Sequence, residues 1–229
     1  MTTTTAHEAH TSHSGASRGA FVRSKLASLL AIVPLGVWTL VHVWNNLSVY
    51  KSADEWQRDV TGYQHPISLV ITSFIVLAPL LLHTYWGLGR LRTSRPNNLR
   101  YGYFENLKYA LQRLSALGVL AFLGAHLWLA FLHPRVVEHH PEPFEGLAAE
   151  MHYAPATLLV YLLGTLGVAY HLGNGLYSFA WSWGIAASRR SLRGFQIASV
   201  VLFVVLLAMS WGAIYGLWSA GGAFAAPLD

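Results

Sequence analysis

Four histidines lie far inside long apolar stretches of this 229-residue chain: His42, His83, His126 and His171. An imidazole surrounded by hydrocarbon needs a partner, because an unpaired polar group is costly there. Two imidazoles that face each other from neighbouring helices are what the iron of a low-spin b-type haem requires. The residues therefore point to metal or haem binding, and the alternative is four isolated, hydrogen-bonded helix histidines.

The stretches that carry these histidines have the composition of membrane helices. The chain is 54% hydrophobic and 11% charged, whereas a soluble protein has about 25% charged residues. Each stretch exceeds the roughly 20 residues that cross a bilayer. The predicted spans are I (about 26–50), II (66–88), III (108–132), IV (155–183) and V (195–218). We predict an all-α membrane protein in which five transmembrane helices (23–229) form a haem-binding bundle, after a disordered cytoplasmic tail (1–22).

Charge is distributed unevenly between the two sides of this bundle. The tail and the 89–113 and 184–194 connections hold 12 of the 15 Lys and Arg residues, whereas the other connections and the C-terminus hold 8 of the 10 acids. By the positive-inside rule, the N-terminus is cytoplasmic and the C-terminus lies outside. The net charge of +5 thus reflects membrane topology, and no nucleic-acid partner is expected. The location expected is a bacterial cytoplasmic membrane.

The depth of each histidine in its span sorts the four into two layers. His42 and His126 come late in spans that run outwards, roughly 24 Å from the inner boundary at about 1.5 Å per residue. His83 and His171 come late in spans that run inwards, so they lie near the inner boundary. Two pairs are therefore predicted, separated by roughly 10–20 Å along the membrane normal.

The chemistry of the surroundings favours haem over other metal groups. The chain has no cysteine, which excludes iron–sulfur ligation and covalent c-type haem. No carboxylate lies within the spans, which disfavours a zinc site. Gly87 and Gly175 follow His83 and His171 by one turn, and Gly124 is near His126, so a flat macrocycle could approach the backbone.

At this point the chain resembles a known family: the five-helix, dihaem cytochrome b anchors (cytochrome b558 type) of succinate:quinone oxidoreductases and fumarate reductases. The resemblance extends from Ser24 to about Phe203. Its most specific motifs are LQR-x-S before His126 and H-x-x-x-G-L at His171. It implies that His42 and His126 bind the outer haem iron, and that His83 and His171 bind the inner one.

The resemblance also implies partners and a direction for the electrons. A flavoprotein oxidises succinate, and an iron–sulfur subunit that docks on the cytoplasmic face passes electrons through two b haems to a quinone, typically menaquinone. On that basis this chain has no dicarboxylate active site, and dimerisation of the whole complex stays open. Residues predicted to contact the quinone near the outer layer are Trp44, Asn45, Glu55 and His65.

Two alternatives remain at this stage. One is the cytochrome b anchor of a hydrogenase or formate dehydrogenase, in which the histidines are distributed differently over the helices. The other is a transporter that uses histidines as proton relays, which would be colourless. The absence of any intramembrane carboxylate or lysine disfavours the transporter.

Overall fold

The structure, a computed structural model, describes residues 5–62, 66–93 and 102–225. All regular secondary structure in these ranges is helical. The α-helices are α1 (Thr5–Leu30), α2 (Val37–Asn46), α3 (Ala53–Trp56), α4 (Pro66–Arg92), α5 (Phe104–Leu127), α6 (His133–Val136), α7 (Phe144–Tyr153), α8 (Pro155–Ser182) and α9 (Arg189–Gly221).

Within the described ranges, five helical segments are long and apolar enough to cross a membrane, which confirms the predicted number of spans. They are Arg18–Tyr50, Leu69–Arg92, Phe104–Val136, Pro155–Ser182 and Arg189–Gly221, and they are called spans I to V below. Large apolar side chains such as Phe74 and Val200 are more than half exposed along them. These surfaces would be in contact with lipid, because a membrane protein buries its apolar groups in hydrocarbon rather than in a core.

The first helix begins earlier than expected, at Thr5. Residues that the sequence assigns to a disordered tail therefore continue the turns of span I. Residues 5–25 contain no proline that would interrupt those turns. The segment has few apolar residues with which to bury a face, so its disorder in solution stays a prediction.

Spans I and III each contain a turn of π-helix. In span I it covers Ala31–Gly36 and includes Pro34, whose missing N–H and bulky ring disturb the α-helical hydrogen bonds. In span III it covers Trp128–Leu132, directly before the short helix α6 that contains Pro134. Such widened turns often occur at functional sites, and these two lie in the spans that carry His42 and His126.

One end of the bundle, called the acidic end, is covered by α3, α7 and their connections. Trp56 is fully buried and packs edge-to-face on Phe144, with ring centres 5.4 Å apart. Gln57 joins the two connections, because its Nε2 donates to the Glu142 carbonyl (3.0 Å) and its Oε1 accepts from the Phe144 N–H (2.8 Å). These contacts fix the cover over the ends of spans I, III, IV and V.

The opposite end, called the basic end, holds Lys25, Arg90 and the start of α9. Lys25 donates to the Ser182 carbonyl and lies over the Trp183 ring, which joins the start of span I to the end of span IV. Span IV is central in the bundle and packs closely against both span III and span V. Gly164 is required at the III–IV contact, because a Cβ there would lie 2.1 Å from a Phe122 ring carbon.

Candidate functional site

The structure brings the four histidines together in two pairs. The rings of His42 and His126 have their centres 6.0 Å apart, and those of His83 and His171 are 6.3 Å apart. A first-row metal binds an imidazole nitrogen at about 2.0–2.1 Å, so two rings on opposite sides of one metal have their centres roughly 6 Å apart. Both distances suit this arrangement, although an edge-to-face aromatic pair would show similar values.

The hydrogen bonds of His83 decide which of its nitrogens is available. Its Nδ1 lies 3.0 Å from the Ala27 carbonyl oxygen of span I. A carbonyl can only accept, so Nδ1 carries the proton and donates to it. The other nitrogen, Nε2, is then unprotonated and can bind a metal, as is usual for histidine ligands.

His171 is held by a group of polar side chains from span III. Its Nδ1 lies 3.3 Å from Ser115 Oγ and 3.2 Å from Gln112 Nε2. The serine oxygen can accept the Nδ1 proton, while the Gln112 amide donates to the His171 carbonyl (3.1 Å). Asn174 in turn donates to Gln112 Oε1 (2.8 Å). The network orients the imidazole and leaves Nε2 free, as for His83.

His126 lies beside a polar group of span IV, the hydroxyl of Tyr161. Their Nδ1 and hydroxyl oxygen are 3.2 Å apart. The His126 ring also stacks on Phe122, with centres 5.6 Å apart. Tyr161 is only 9% exposed, so its hydroxyl is well placed to accept the Nδ1 proton away from water.

His42 is positioned differently from the other three. Its ring stacks on Trp38, with centres 5.8 Å apart and an interplanar angle of 13°. Within the described residues the ring makes no hydrogen bond, although its backbone carbonyl accepts from Asn46 Nδ2 (2.8 Å). An aromatic stack therefore fixes this imidazole, and both nitrogens are open to a ligand.

His83 and His171, called the basic-end pair (His42 and His126 form the acidic-end pair), have open space beside two nearby glycines. Gly87 lies one turn after His83 on the same face of span II, and a Cβ at Gly87 would meet nothing within 4 Å. A Cβ at Gly175, one turn after His171, would come no closer than 4.0 Å to its nearest neighbour, Gln112 Nε2. Paired imidazoles with free Nε2 atoms, together with open space beside a glycine, fit bis-histidine haem b.

A cavity of about 580 Å³ opens at the acidic end, beside Tyr161. Its lining includes His133, Glu142 and Glu150. Burial raises the pKa of Glu142 to about 7, and the neighbouring charges of Glu138 and Glu150 add to this effect. A carboxyl group that exchanges its proton near neutral pH therefore faces a space large enough for a small organic molecule.

The residues predicted to contact a quinone are not in the lining of this cavity. Trp44 is 67% exposed, Asn45 donates to the Asp59 carbonyl, and Glu55 forms ion pairs with Lys51 and Arg58. His65 lies outside the described residues. The role of these four residues stays a prediction.

Sequence reasoning did not assign functions to Gln112, Ser115 or Tyr161. Gln112 and Ser115 belong to the LQR-x-S motif, and in the sequence this motif indicated only the family resemblance. Tyr161 is six residues after Pro155 in span IV, so its depth matches that of His126. The same comparison of depths that paired the histidines could have found it.

Comparison with known proteins identifies the chain's relatives. Residues 95–211 match the succinate dehydrogenase/fumarate reductase transmembrane subunit family. The chain is 28% identical over 196 residues to the succinate dehydrogenase cytochrome b558 subunit of Bacillus subtilis (strain 168), an alignment that covers 85% of this chain and 96% of the relative. With its five spans, the chain therefore belongs to the succinate dehydrogenase/fumarate reductase transmembrane subunits, as a multi-pass anchor in the bacterial cytoplasmic membrane for an enzyme complex with flavoprotein and iron–sulfur partners.

Proposed function

We propose that this anchor is a dihaem electron-transfer subunit that links its complex to a quinone, and that the quinone is menaquinone. The observation that carries the proposal is the presence of two histidine pairs with ring centres 6.0 and 6.3 Å apart, at opposite ends of the bundle. Bound there, two b haems would supply one-electron transfer between the iron–sulfur subunit and the quinone. The dicarboxylate chemistry would take place on the partner subunits.

The chain's own residues hold and orient the ligands. Ala27, Ser115 and Tyr161 supply acceptors for the Nδ1 protons of His83, His171 and His126, which keeps each Nε2 available. Phe122 and Trp38 flank the acidic-end pair and keep water from it. The absence of any third metal-ligating side chain near either pair, within the described residues, suits an iron whose remaining four ligands come from a porphyrin.

The orientation proposed is the one that charge distribution predicts. The basic end would face the cytoplasm and present Arg189, Arg190 and Arg193 to the iron–sulfur subunit. The acidic end would face outwards. Labelling of single introduced cysteines with a membrane-impermeant reagent tests this, because a cysteine at Glu145 but not at Arg92 should react from outside intact cells.

We propose that the quinone ring binds in the cavity beside Tyr161. Reduction of a quinone to a quinol takes up two electrons and two protons, and Glu142 can exchange a proton at neutral pH. We expect Glu142→Gln to slow quinone reduction by the complex while both haem spectra stay unchanged. Equal rates in the variant and the wild type would place the quinone elsewhere.

Single histidine variants test the dihaem proposal. Reduced-minus-oxidised spectra and pyridine haemochrome quantitation of the purified complex should give two haems b per anchor. His83→Ala or His171→Ala should remove only the basic-end haem, whereas His42→Ala or His126→Ala should remove only the other. His152→Ala is the control, because His152 contacts the Trp218 carbonyl instead of a second histidine. A colourless, folded wild type would contradict the proposal, and so would loss of both haems in every variant.

A further inference from the structure

Arg113, near the start of span III, is half-buried, and its Nε atom is fully shielded from solvent with no counter-ion among the described residues. Its Nε has no hydrogen-bond partner in the part of the chain that the structure describes. Its guanidinium lies over the Tyr109 ring, 4.7 Å from the ring centre. Leaving a buried guanidinium N–H unpaired costs free energy. Among the described residues, this N–H therefore lacks an acceptor that a bound anion could supply.

A second arginine, Arg90 of span II, lies close to it. Arg90 comes seven residues after His83, roughly two turns, so it projects from the same face of the helix. It donates to the Ser24 hydroxyl. The charge of Arg90 acts on both Arg113 and His83, and that of Arg113 acts on His171. Two guanidinium groups are thus near enough to the basic-end histidine pair for their charges to reach it, and an anion bound to both would offset their repulsion.

No acid in the part of the chain that the structure describes is placed to be that anion. Seven of the nine described acids lie towards the acidic end, which leaves Glu8 and Glu105. Glu105 is paired with Lys108 at 2.8 Å. Glu8 lies 16 residues before Ser24 in α1, roughly 24 Å along the helix axis. Residues 94–101 contain neither Asp nor Glu.

We propose that Arg90 and Arg113 together bind the carboxylates of the haem held by His83 and His171, and so fix its orientation in the bundle. This inference rests on the proposed haem function. A planar guanidinium matches a carboxylate with two parallel hydrogen bonds, and haem b has two propionate carboxylates on one edge. At the acidic end Arg135 is used differently, because it donates to the Phe131 and Thr61 carbonyls.

The test compares charge-removing and charge-keeping variants in the whole complex. Arg90→Gln and Arg113→Gln remove a positive charge, and Arg90→Lys and Arg113→Lys keep it but lose the bidentate geometry. Arg92→Gln, an exposed arginine of the same helix, is the matched control. The measurements are haem content, the midpoint potential of each haem, and redox-difference infrared spectra of complex that contains haem labelled with ¹³C at its carboxylates.

We expect the Gln variants to lose the basic-end haem or to hold it about tenfold more weakly, the usual lower limit for groups that orient a metal site. Any of that haem which remains should have a lower midpoint potential, because a nearby positive charge favours the reduced iron. The labelled carboxylate bands should shift in the Gln and Lys variants alike. Arg92→Gln and the acidic-end haem should not change.

Unchanged haem content, potential and carboxylate bands in the Gln variants would overturn this assignment. If those variants fail to accumulate, unchanged bands in the Lys variants would overturn it equally. A third adverse result is loss of bound phospholipid without any band shift, which would assign the arginines to a lipid phosphate. A wild type without haem would overturn the proposed function as well, whereas two haems with unresponsive arginine variants would overturn only the present inference.

Discussion

The hydroxyl of Ser115 on span III lies 3.3 Å from Nδ1 of His171 on span IV. The serine hydroxyl itself donates to the Gln112 carbonyl one turn earlier (3.1 Å), so its lone pair is left to accept the imidazole proton. An LQR-x-S motif on one helix thus orients a histidine on the next. Groups that orient a ligand in this way influence a metal site nearly as strongly as the ligands themselves.

Ser115→Ala should therefore disturb the basic-end haem alone. Without the acceptor, the His171 ring loses its fixed tautomer and orientation, and retention of that haem should fall about 10- to 100-fold. Low-temperature spectra that resolve the two haems provide the measurement. Ser115→Thr keeps a hydroxyl and should rescue the loss. Ser210→Ala is the control, since Ser210 donates to the Leu206 carbonyl of its own helix. An equal effect in that variant would mean that Ser115 matters only for packing.

Tyr161→Phe should affect the acidic-end haem and leave the other unchanged. The substitution keeps the ring that packs on Phe122 but removes the hydroxyl that lies 3.2 Å from His126 Nδ1. An unsatisfied buried donor costs about 1–3 kcal/mol, so we expect a shifted midpoint potential for this haem with little loss of protein. Tyr170→Phe is the comparison, because the Tyr170 hydroxyl donates to a backbone carbonyl, that of Lys108 (3.5 Å), rather than to a histidine. A redox titration in which the two variants behave alike would contradict the assigned role.

Two glycines of span II test whether the space beside His83 holds a macrocycle. Neither Gly87 nor Gly89 would bring a Cβ within 4 Å of another group, so Leu should be tolerated sterically at both. Only Gly87, one turn from His83, is on the ligand face. We expect Gly87→Leu to lower the content of the basic-end haem several-fold, with Gly89→Leu unchanged. Equal haem content in the two variants would show that Gly87 faces lipid.

The sequence was sufficient for the spans and for the grouping of histidines by depth, because both depend on position along a helix. Long uncharged runs mark the five spans, and a rise of about 1.5 Å per residue converts position into depth. The ring pairs in the structure follow this grouping, although iron ligation itself stays a prediction. Contacts around the helix axis, such as Ser115 with His171, depend on helix rotation and neighbour order, which depth does not determine.

Helix ends were less predictable, for local reasons. Span V was expected from about residue 195 but begins at Arg189. Ser188 and Ser191 form a reciprocal cap there, in which each hydroxyl accepts from the other's backbone N–H. Because of this cap, the helix begins among arginines, before its apolar part. The apolar run in the sequence predicts only the part of the helix that lies in hydrocarbon.

Glu142 should make the stability of the acidic end depend on pH. Burial, with help from Glu138 and Glu150, raises its pKa from the ordinary 4.5 to about 7, although His140 and Arg135 oppose the shift. The folded protein therefore binds this proton more tightly than the unfolded chain does. The associated stability is fully present below pH 4.5 and is lost as the pH rises through 7.

Glu142→Gln keeps the side chain neutral at every pH. The hydrogen bond from Gln57 Nε2 can persist in the variant, because its acceptor is the backbone oxygen of residue 142. Above pH 7 the variant should unfold at a higher temperature than the wild type, and the difference should vanish near pH 4.5. Thermal unfolding of the detergent-solubilised complex between pH 4.5 and 8.5 measures this. Glu145→Gln, at an exposed neighbour, should show a much smaller pH-dependent difference. A Glu142→Gln variant that is less stable than the wild type at pH 8 would mean that the ionised carboxylate is stabilised in the fold, through Arg135 or His140, more strongly than burial disfavours it.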